Sequence, residues 1–128
     1  MPSTPRVEEA DPFDLPDWLG TEEVMWRARS GIRDASHVRG ELTGTGSLEC
    51  DLLAADEAFP QPVLDEAWRR RAHQAWAHGQ VLLVAYDGRL TLAVPGTGFT
   101  ADRVLEALNR LAKAIAVSPD RFLAALRL

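Results

Sequence analysis

The sequence predicts a single α+β domain, with an antiparallel sheet of about five strands and helices packed mainly on one face. Short apolar runs with a period of two alternate with longer stretches whose apolar residues recur at helical spacing. The Asp87-Gly88 dipeptide lies between two apolar runs, a pattern typical of a two-residue hairpin. The connections are short, which favours antiparallel pairing. In chain order, the elements are predicted as βββ-α-ββ-α-α.

Residues 1–20 are predicted to form an acidic, proline-rich arm that precedes a domain spanning residues 21–128. Four of the eight prolines fall in this segment, and proline disfavours a helix there. A segment of this composition cannot bury a core alone, so its apolar side chains are expected to dock on a groove of the same chain or of a twin protomer. These side chains are Phe13, Leu15, Trp18 and Leu19.

The net charge of −5 is unevenly distributed along the chain. Residues 1–23 hold seven acidic residues and one basic residue, a net charge of −6, whereas the other 105 residues sum to +1. Charge therefore excludes no class of partner for the domain itself. Thirteen of the 14 basic residues are arginine, which together with the abundant alanine is typical of a high-GC bacterium.

Three strands are predicted before the first long helix, over residues 24–29, 38–43 and 47–54, with Gly44-Thr45-Gly46 as a hairpin loop. On the third strand, Cys50 shares a face with apolar residues and is flanked by acidic residues on the other. It is therefore predicted to be a small buried hydrophobe rather than a nucleophile.

The first long helix is predicted over residues 63–78, after Pro60 and Pro62 and before a capping Gly79. Arg71 falls within its apolar arc. A buried, unpaired guanidinium is costly, so Arg71 must pair with an acid, extend to the rim or face an open groove. The arc also contains Leu64, Ala67, Trp68, Ala72, Ala75 and Trp76.

Two more strands are predicted over residues 80–86 and 89–94. They are followed by a helix over residues 100–116, capped by Thr100, and by a short helix over residues 119–128. The apolar residues of the longer helix occupy one continuous arc, which is typical of a core-facing helix.

The most specific site prediction is a recognition groove on the first long helix. Trp68 and Trp76 lie two turns apart with the small Ala72 between them, and Arg71 would supply an orienting charge. The other interpretation of the same residues is a core helix with an arginine at its margin. Under the groove hypothesis, Phe13 and Trp18 of the arm fill the groove until a partner displaces them.

No catalytic residue, cofactor or metal site is predicted. His73 and His78 are five residues apart and point to different sides of a helix, and no cysteine–histidine spacing pattern is present. The Pro95–Gly98 loop is explained by a strand-to-helix turn, without a phosphate ligand. The chain is therefore predicted not to be an enzyme, with a small enzyme of unrecognised kind kept as an alternative.

The compartment is predicted to be the cytoplasm. No apolar run approaches the roughly 20 residues that span a bilayer, so no membrane contact is predicted. The first residues contain no apolar stretch typical of a secretory signal. Cys50 is the only cysteine and cannot form an internal disulfide.

Residues 111–128 supply an alternative function. The string Leu111–Ser118 is similar to the first helix and turn of a bacterial helix-turn-helix, although Ala116 stands where that motif usually has glycine. The following segment, DRFLAALRL, would be the recognition helix of a DNA-binding regulator. It offers only Arg121 and Arg127 as bases, so nucleic acid is not the predicted partner.

The predicted element order over residues 18–116 is similar to the secretion-chaperone-like fold. This resemblance implies a non-enzymatic, often dimeric domain that binds an extended segment of a partner. Together with the groove hypothesis, it favours a small cytoplasmic protein-interaction or chaperone-like adaptor. The expected partner is another protein or a second copy of the chain, bound in the groove formed by Trp68, Arg71, Ala72 and Trp76.

Overall fold

The protein is described here by a computed structural model, which covers residues 6–32, 36–56 and 64–126. The strands within these ranges are β1 (Val7–Glu9), β2 (Val24–Ala28), β3 (His37–Val38), β4 (Gly40–Thr43), β5 (Ser47–Ala54), β6 (Leu82–Tyr86), β7 (Arg89–Val94) and β8 (Phe122–Ala125). The helices are α1 (Trp18–Thr21), α2 (Glu66–Ala77) and α3 (Ala101–Ala114). Two 3₁₀ turns span Pro12–Asp14 and Pro119–Arg121.

The α+β class is confirmed, but the sheet is larger than predicted. The described residues contain eight strands in one sheet, in the order β1-β6-β7-β5-β4-β2-β8, with β3 paired to β5 beside this path. The sheet is also mixed rather than antiparallel, because β5 runs parallel to β7 and β2 runs parallel to β8. The parallel pair β5–β7 arises because the crossover between these strands contains both α2 and β6.

The two long helices pack on opposite faces of the sheet, so the prediction of helices mainly on one face is wrong. Leu83 of β6 joins a large cluster with Val104 and Leu111 of α3, whereas Val84 joins a smaller cluster with Ala72 of α2. The central strands carry apolar residues at consecutive positions, and such strands require cover on both faces.

Trp26 lies at the centre of the larger cluster and fixes how closely β2 and β4 approach. Its side chain is fully buried, and the indole N–H donates to the Cys50 carbonyl at 2.9 Å. A Cβ atom at Gly40 would lie 2.4 Å from the indole ring, so only glycine fits there. Cys50 is buried as predicted, and burial raises the pKa of its thiol.

The predicted Asp87-Gly88 hairpin turn and the Thr100 helix cap are confirmed. Asp87 and Gly88 both have positive φ, at 54° and 79°, as expected for the two central residues of a hairpin turn that joins β6 to β7. The Thr100 hydroxyl accepts from the Arg103 N–H at the start of α3. Helix α2 begins later than predicted, at Glu66, and Asp65 caps it by accepting from the Trp68 N–H at 3.0 Å. Pro60, Pro62 and the predicted first residue, 63, lie outside the described residues.

The predicted C-terminal helix is wrong. After the turn Pro119–Arg121, the chain forms β8, which pairs with β2 from Val24↔Phe122 to Arg27↔Ala125. Leucine and alanine favour a helix locally, but here the pairing with an exposed strand edge and the partial burial of Phe122 outweigh that preference. Within the described ranges, no helix is both long and apolar enough to cross a membrane.

Candidate functional site

The described part of the segment predicted as an arm, residues 6–20, is docked on its own chain. Its residues 7–9 form β1, an edge strand that pairs antiparallel with β6, with Glu9 opposite Val84. The Ala10 N–H extends the pairing by donating to the Leu83 carbonyl. Main-chain hydrogen bonds therefore fix the first part of the arm in cis.

The second part of the arm is held by apolar packing against the hairpin between β4 and β5. Leu19 is buried in the larger cluster, and the Trp18 ring lies so close to Gly44 that a Cβ there would be 2.7 Å away. The Glu22 carboxylate accepts from both the amide and the hydroxyl of Thr45, and these hydrogen bonds lower the pKa of Glu22. Contacts with the hairpin loop thus hold α1 in place.

The groove predicted on α2 is not formed by the residues proposed for it. Trp68 packs at the margin of the smaller cluster, whereas Trp76 packs at the margin of the larger cluster on the opposite face. Because the two positions are eight residues apart, they are rotated by about 80° around the helix, enough to turn the two rings to different neighbours. Ala72, the expected floor of the groove, is buried beneath the helix.

Arg71 finds an acidic partner, the first of the three outcomes expected for it. Its guanidinium donates to Glu9 of β1 at 2.9 Å and lies over the Trp68 ring, 4.6 Å from the ring centroid. This contact links the acidic arm to an arginine-bearing helix. The Arg71 guanidinium also occupies one face of the Trp68 ring.

Trp76 is enclosed by two arginines of α3. The Arg110 guanidinium lies 3.4 Å from the centroid of its ring, and that of Arg103 lies 5.1 Å away. Arg110 also donates to the carbonyl oxygens of Trp76 and Gln80, at 2.7 and 3.0 Å. The Trp76 indole is therefore engaged by the arginines of α3.

Phe13 is the most exposed large apolar side chain among the described residues, at 94% exposure. It lies in a constrained turn: the Asp11 carboxylate accepts from the Phe13 N–H at 2.9 Å, and the Pro12 carbonyl accepts from the Leu15 N–H. The turn is held on one side by β1 and on the other by the buried Leu19. A fixed backbone thus presents one aromatic ring to solvent.

Two clefts flank this turn. The first has a volume of about 400 Å³, and the second, between the start of β6 and the end of α3, has a volume of about 540 Å³. The first is lined by Pro12, Phe13, Leu15, Pro16, Asp17, Leu19, Gly20, Thr21 and Ile115. The second is lined by Pro12, His78, Gly79, Gln80, Val81, Leu83, Arg110, Lys113 and Ala114. Pro12 is common to both, so the clefts adjoin at the turn.

The charges around the turn are segregated. The turn itself carries exposed Asp14, and Asp17 follows it closely. The second cleft carries positive groups, namely Lys113 and the Arg110 guanidinium. Neither Asp14 nor Lys113 forms an ion pair with any residue that the structure describes. Asp14 and Lys113 are therefore uncompensated charges beside the turn among the described residues, whereas Arg110 is paired with Glu106 at 3.0 Å.

A buried polar cluster, which the sequence did not reveal, lies on the α2 side of the sheet. Asp51 of β5 is fully buried and accepts two hydrogen bonds from Arg89, at 2.7 and 2.9 Å, and one from the Gly40 N–H. Burial raises the pKa of Asp51, but the neighbouring His37 imidazole and these donors outweigh burial and hold the pKa well below its usual range. Because both carboxylate oxygens are occupied, Asp51 ties strands together and is not available as a base.

A second polar cluster lies where the parallel strands β5 and β7 end. The Asp56 carboxylate contacts His73 of α2 at 2.9 Å and accepts from the Gly96 N–H at 2.9 Å, with Arg69 of α2 at 3.5 Å. Burial raises the pKa of Asp56, and these partners lower it by more. The sequence does not single out Asp56, because its partners come from two distant elements.

The DNA-binding alternative loses its structural basis. Within the described ranges, the residues after Ser118 form a 3₁₀ turn and β8, so the recognition helix that a helix-turn-helix requires is not formed. The described residues also contain no group of three or more His, Cys, Asp or Glu side chains that could hold a metal ion. Comparisons of the chain with protein-family models, with curated proteins and with solved structures returned no match.

Proposed function

We propose that the protein is a non-enzymatic adaptor of the cytoplasm that binds another protein through the turn at Pro12–Asp14. One observation carries this proposal: Phe13 is 94% exposed on a turn whose backbone is fixed on both sides. An aromatic side chain held in this way loses little conformational freedom on binding, and it brings a large apolar area to an interface.

The chemistry of the turn defines the partner. Phe13 requires an apolar pocket, because aromatic anchors contribute most when they are fully desolvated. Asp14 and Asp17 flank the ring and favour a pocket with lysine or arginine at its rim. The partner is therefore a protein surface with an apolar pocket and a basic rim.

This proposal keeps the adaptor function predicted from the sequence and moves its site. The α2 residues Trp68 and Trp76 are engaged within the fold, whereas Phe13, the expected plug of the groove, faces solvent. The docked arm is thus the part of the molecule that contacts the partner.

Capture of cellular proteins by tagged wild-type protein and by Phe13→Ala tests the proposal. Leu105→Ala is a matched control, because Leu105 is an exposed apolar residue, 44% exposed, on the outer side of α3. We expect a partner that is retained by wild type and by Leu105→Ala and is bound at least about tenfold more weakly by Phe13→Ala. Thermal melting of all three proteins should agree, since an exposed side chain adds little to stability.

Equal retention by wild type and Phe13→Ala would contradict the proposed site. Nuclease treatment separates the remaining alternative: recovered nucleic acid, retained at low salt and released as salt rises, would favour a DNA-binding regulator. A partner that survives nuclease and depends on Phe13 supports the adaptor.

A further inference from the structure

We infer that the partner of the Phe13 turn is a second copy of this chain, with each copy inserting Phe13 into the cleft between β6 and α3 of the other. This inference rests on the proposed function. The charges, the cleft volume and the positions of the Phe13 turn and the cleft on the surface support a second copy as the occupant of the cleft.

The cleft has the chemistry that the Phe13 turn requires. Val81, Leu83, Ala114 and Pro12 are the apolar residues of its lining, with Val81 and Leu83 buried at its floor. Lys113 supplies the positive charge at the rim, because the Arg110 guanidinium is already paired with Glu106 at 3.0 Å. The volume of about 540 Å³ falls within the range of about 300–1,000 Å³ typical of sites that enclose a ligand, and one phenyl ring with its flanking backbone is smaller than such a ligand.

The charges on the two halves are complementary. Asp14 immediately follows Phe13 and is exposed, whereas the Asp11 carboxylate is already engaged by the Phe13 N–H. Among the described residues, Asp14 is therefore the unpaired carboxylate nearest to the ring in the sequence, and it enters the cleft region with the ring. Lys113, also exposed, is its expected partner across the interface.

The placement of anchor and cleft favours a closed two-fold pair over a chain of molecules. Pro12 precedes Phe13 and also lines the cleft, so the two halves of the contact are adjacent on the surface. A two-fold axis close to Pro12 brings each Phe13 ring to the cleft of the other copy. This arrangement gives two identical contacts, in which both rings and both clefts are occupied. Within one copy the ring cannot fill the cleft, because it is 94% exposed in the docked arm.

Sedimentation velocity over a wide concentration series measures this association directly. We expect wild type to shift from monomer to dimer as concentration rises and then to stop there. Phe13→Ala should raise the dimer dissociation constant at least about tenfold, whereas Leu105→Ala and Leu123→Ala, which remove exposed apolar side chains elsewhere, should leave it unchanged.

Charge reversal gives a sharper test, because the two variants can be mixed. Asp14→Lys alone places two lysines together at each contact, and Lys113→Asp alone places two aspartates together, so each variant should associate more weakly than wild type. In a dimer of one copy of each variant, one contact joins the two substituted positions with their charges exchanged. The other contact is the native pair of Asp14 and Lys113. We expect the mixture to form mixed dimers, a recovery that damage to the fold of either variant would not produce.

A wild-type chain that remains monomeric throughout the series overturns the inference, as does a dimer that Phe13→Ala leaves intact. Failure of the mixed variants to associate, when wild type dimerises, excludes the Asp14–Lys113 contact. A monomeric wild type that still captures a different protein through Phe13 leaves the proposed function standing with another partner. A monomer that captures nothing through Phe13 contradicts both.

Discussion

The two faces of the sheet are stabilised in different ways. Helix α3 buries five of its side chains, Val104, Ala107, Leu108, Leu111 and Ala112, in or beside the larger core. Helix α2 fully buries only Ala72. Its Trp68, Ala75 and Trp76 side chains are only partly buried against the two clusters, and polar contacts of Arg71 with Glu9 and of His73 with Asp56 add to them. Apolar burial contributes more to the free energy of unfolding than exposed ion pairs do. We therefore expect α2 to open more readily than α3.

The α2 face is also only partly covered by its helix. Beyond the residues that α2 contacts, the sheet carries the pair of Asp51 and Arg89 in place of an apolar layer. Three strands meet at this carboxylate, because it also accepts from the Gly40 N–H of β4. On this face, hydrogen bonds to the Asp51 carboxylate hold the strands together, whereas apolar packing does so on the other face.

The largest expected effect is on the α3 face. Leu111→Ala should lower the free energy of unfolding by about 2–5 kcal/mol, because the side chain is fully buried and its removal leaves a cavity. Leu105→Ala, on the exposed side of the same helix, should change it by less than about 0.5 kcal/mol. Urea unfolding monitored by circular dichroism gives both values, and equal effects would remove the distinction between the helix faces.

Asp51→Ala should lower the free energy of unfolding by about 3 kcal/mol, because Arg89 and the Gly40 N–H lose their buried acceptor. Glu23→Ala, at an exposed position next to β2, is the matched control and should have little effect. The same urea titration applies. A loss no greater than that of the control would show that the α2 face does not depend on its polar cluster.

A smaller and local effect is expected for the links that hold α2. His73→Ala should cost about 1 kcal/mol or less, since the side chain is half exposed. Hydrogen exchange should become faster in α2 while α3 stays protected. Exchange that rises equally in both helices would mean that they open as one unit.

The smallest expected effect is a weakening of the contacts between Asp56 and α2 at acidic pH. The pKa of Asp56 is lowered in the folded protein, so its contribution is fully present above the unfolded value of about 3.9 and is lost as pH falls through the folded value. Acidification below about pH 4 should therefore weaken the contacts of Asp56 with His73 and Arg69. Asp56→Asn should reduce this pH dependence in a stability profile, and an unchanged profile would assign the dependence to other carboxylates.

Local patterns predicted the elements better than their arrangement. The period-two run at Val24–Ala28, the Asp87-Gly88 turn and the Thr100 cap are local signals, and each has the expected structure. The segment Phe122–Ala125 has a helix-favouring composition and forms a strand, because its partner β2 lies far away in the sequence. The central strands carry consecutive apolar residues, a pattern that indicates burial of both faces of the sheet. This pattern was the sequence signal for helices on both faces.

The candidate site shows the same limit. The sequence singled out Phe13 and Arg71 because an aromatic residue among acids and an arginine on an apolar arc are locally unusual. It could not show that Arg71 would pair with Glu9, or that Trp76 would lie between two arginines of α3. Those contacts depend on which strand edge the arm joins and which face each helix covers. Periodicity along one segment carries no information about either choice.

The pairing of β8 with β2 has a consequence for the order in which a newly made chain can fold. The two strands lie almost a hundred residues apart in the sequence. At about 5–20 residues per second, a ribosome needs on the order of 5–20 s to complete the chain between them. Strands β2, β4 and β5 can pair well before then, because they are close in sequence. During that interval the outer edge of β2 lacks its neighbour, and the nascent chain exposes hydrogen-bonding groups that β8 covers in the folded protein.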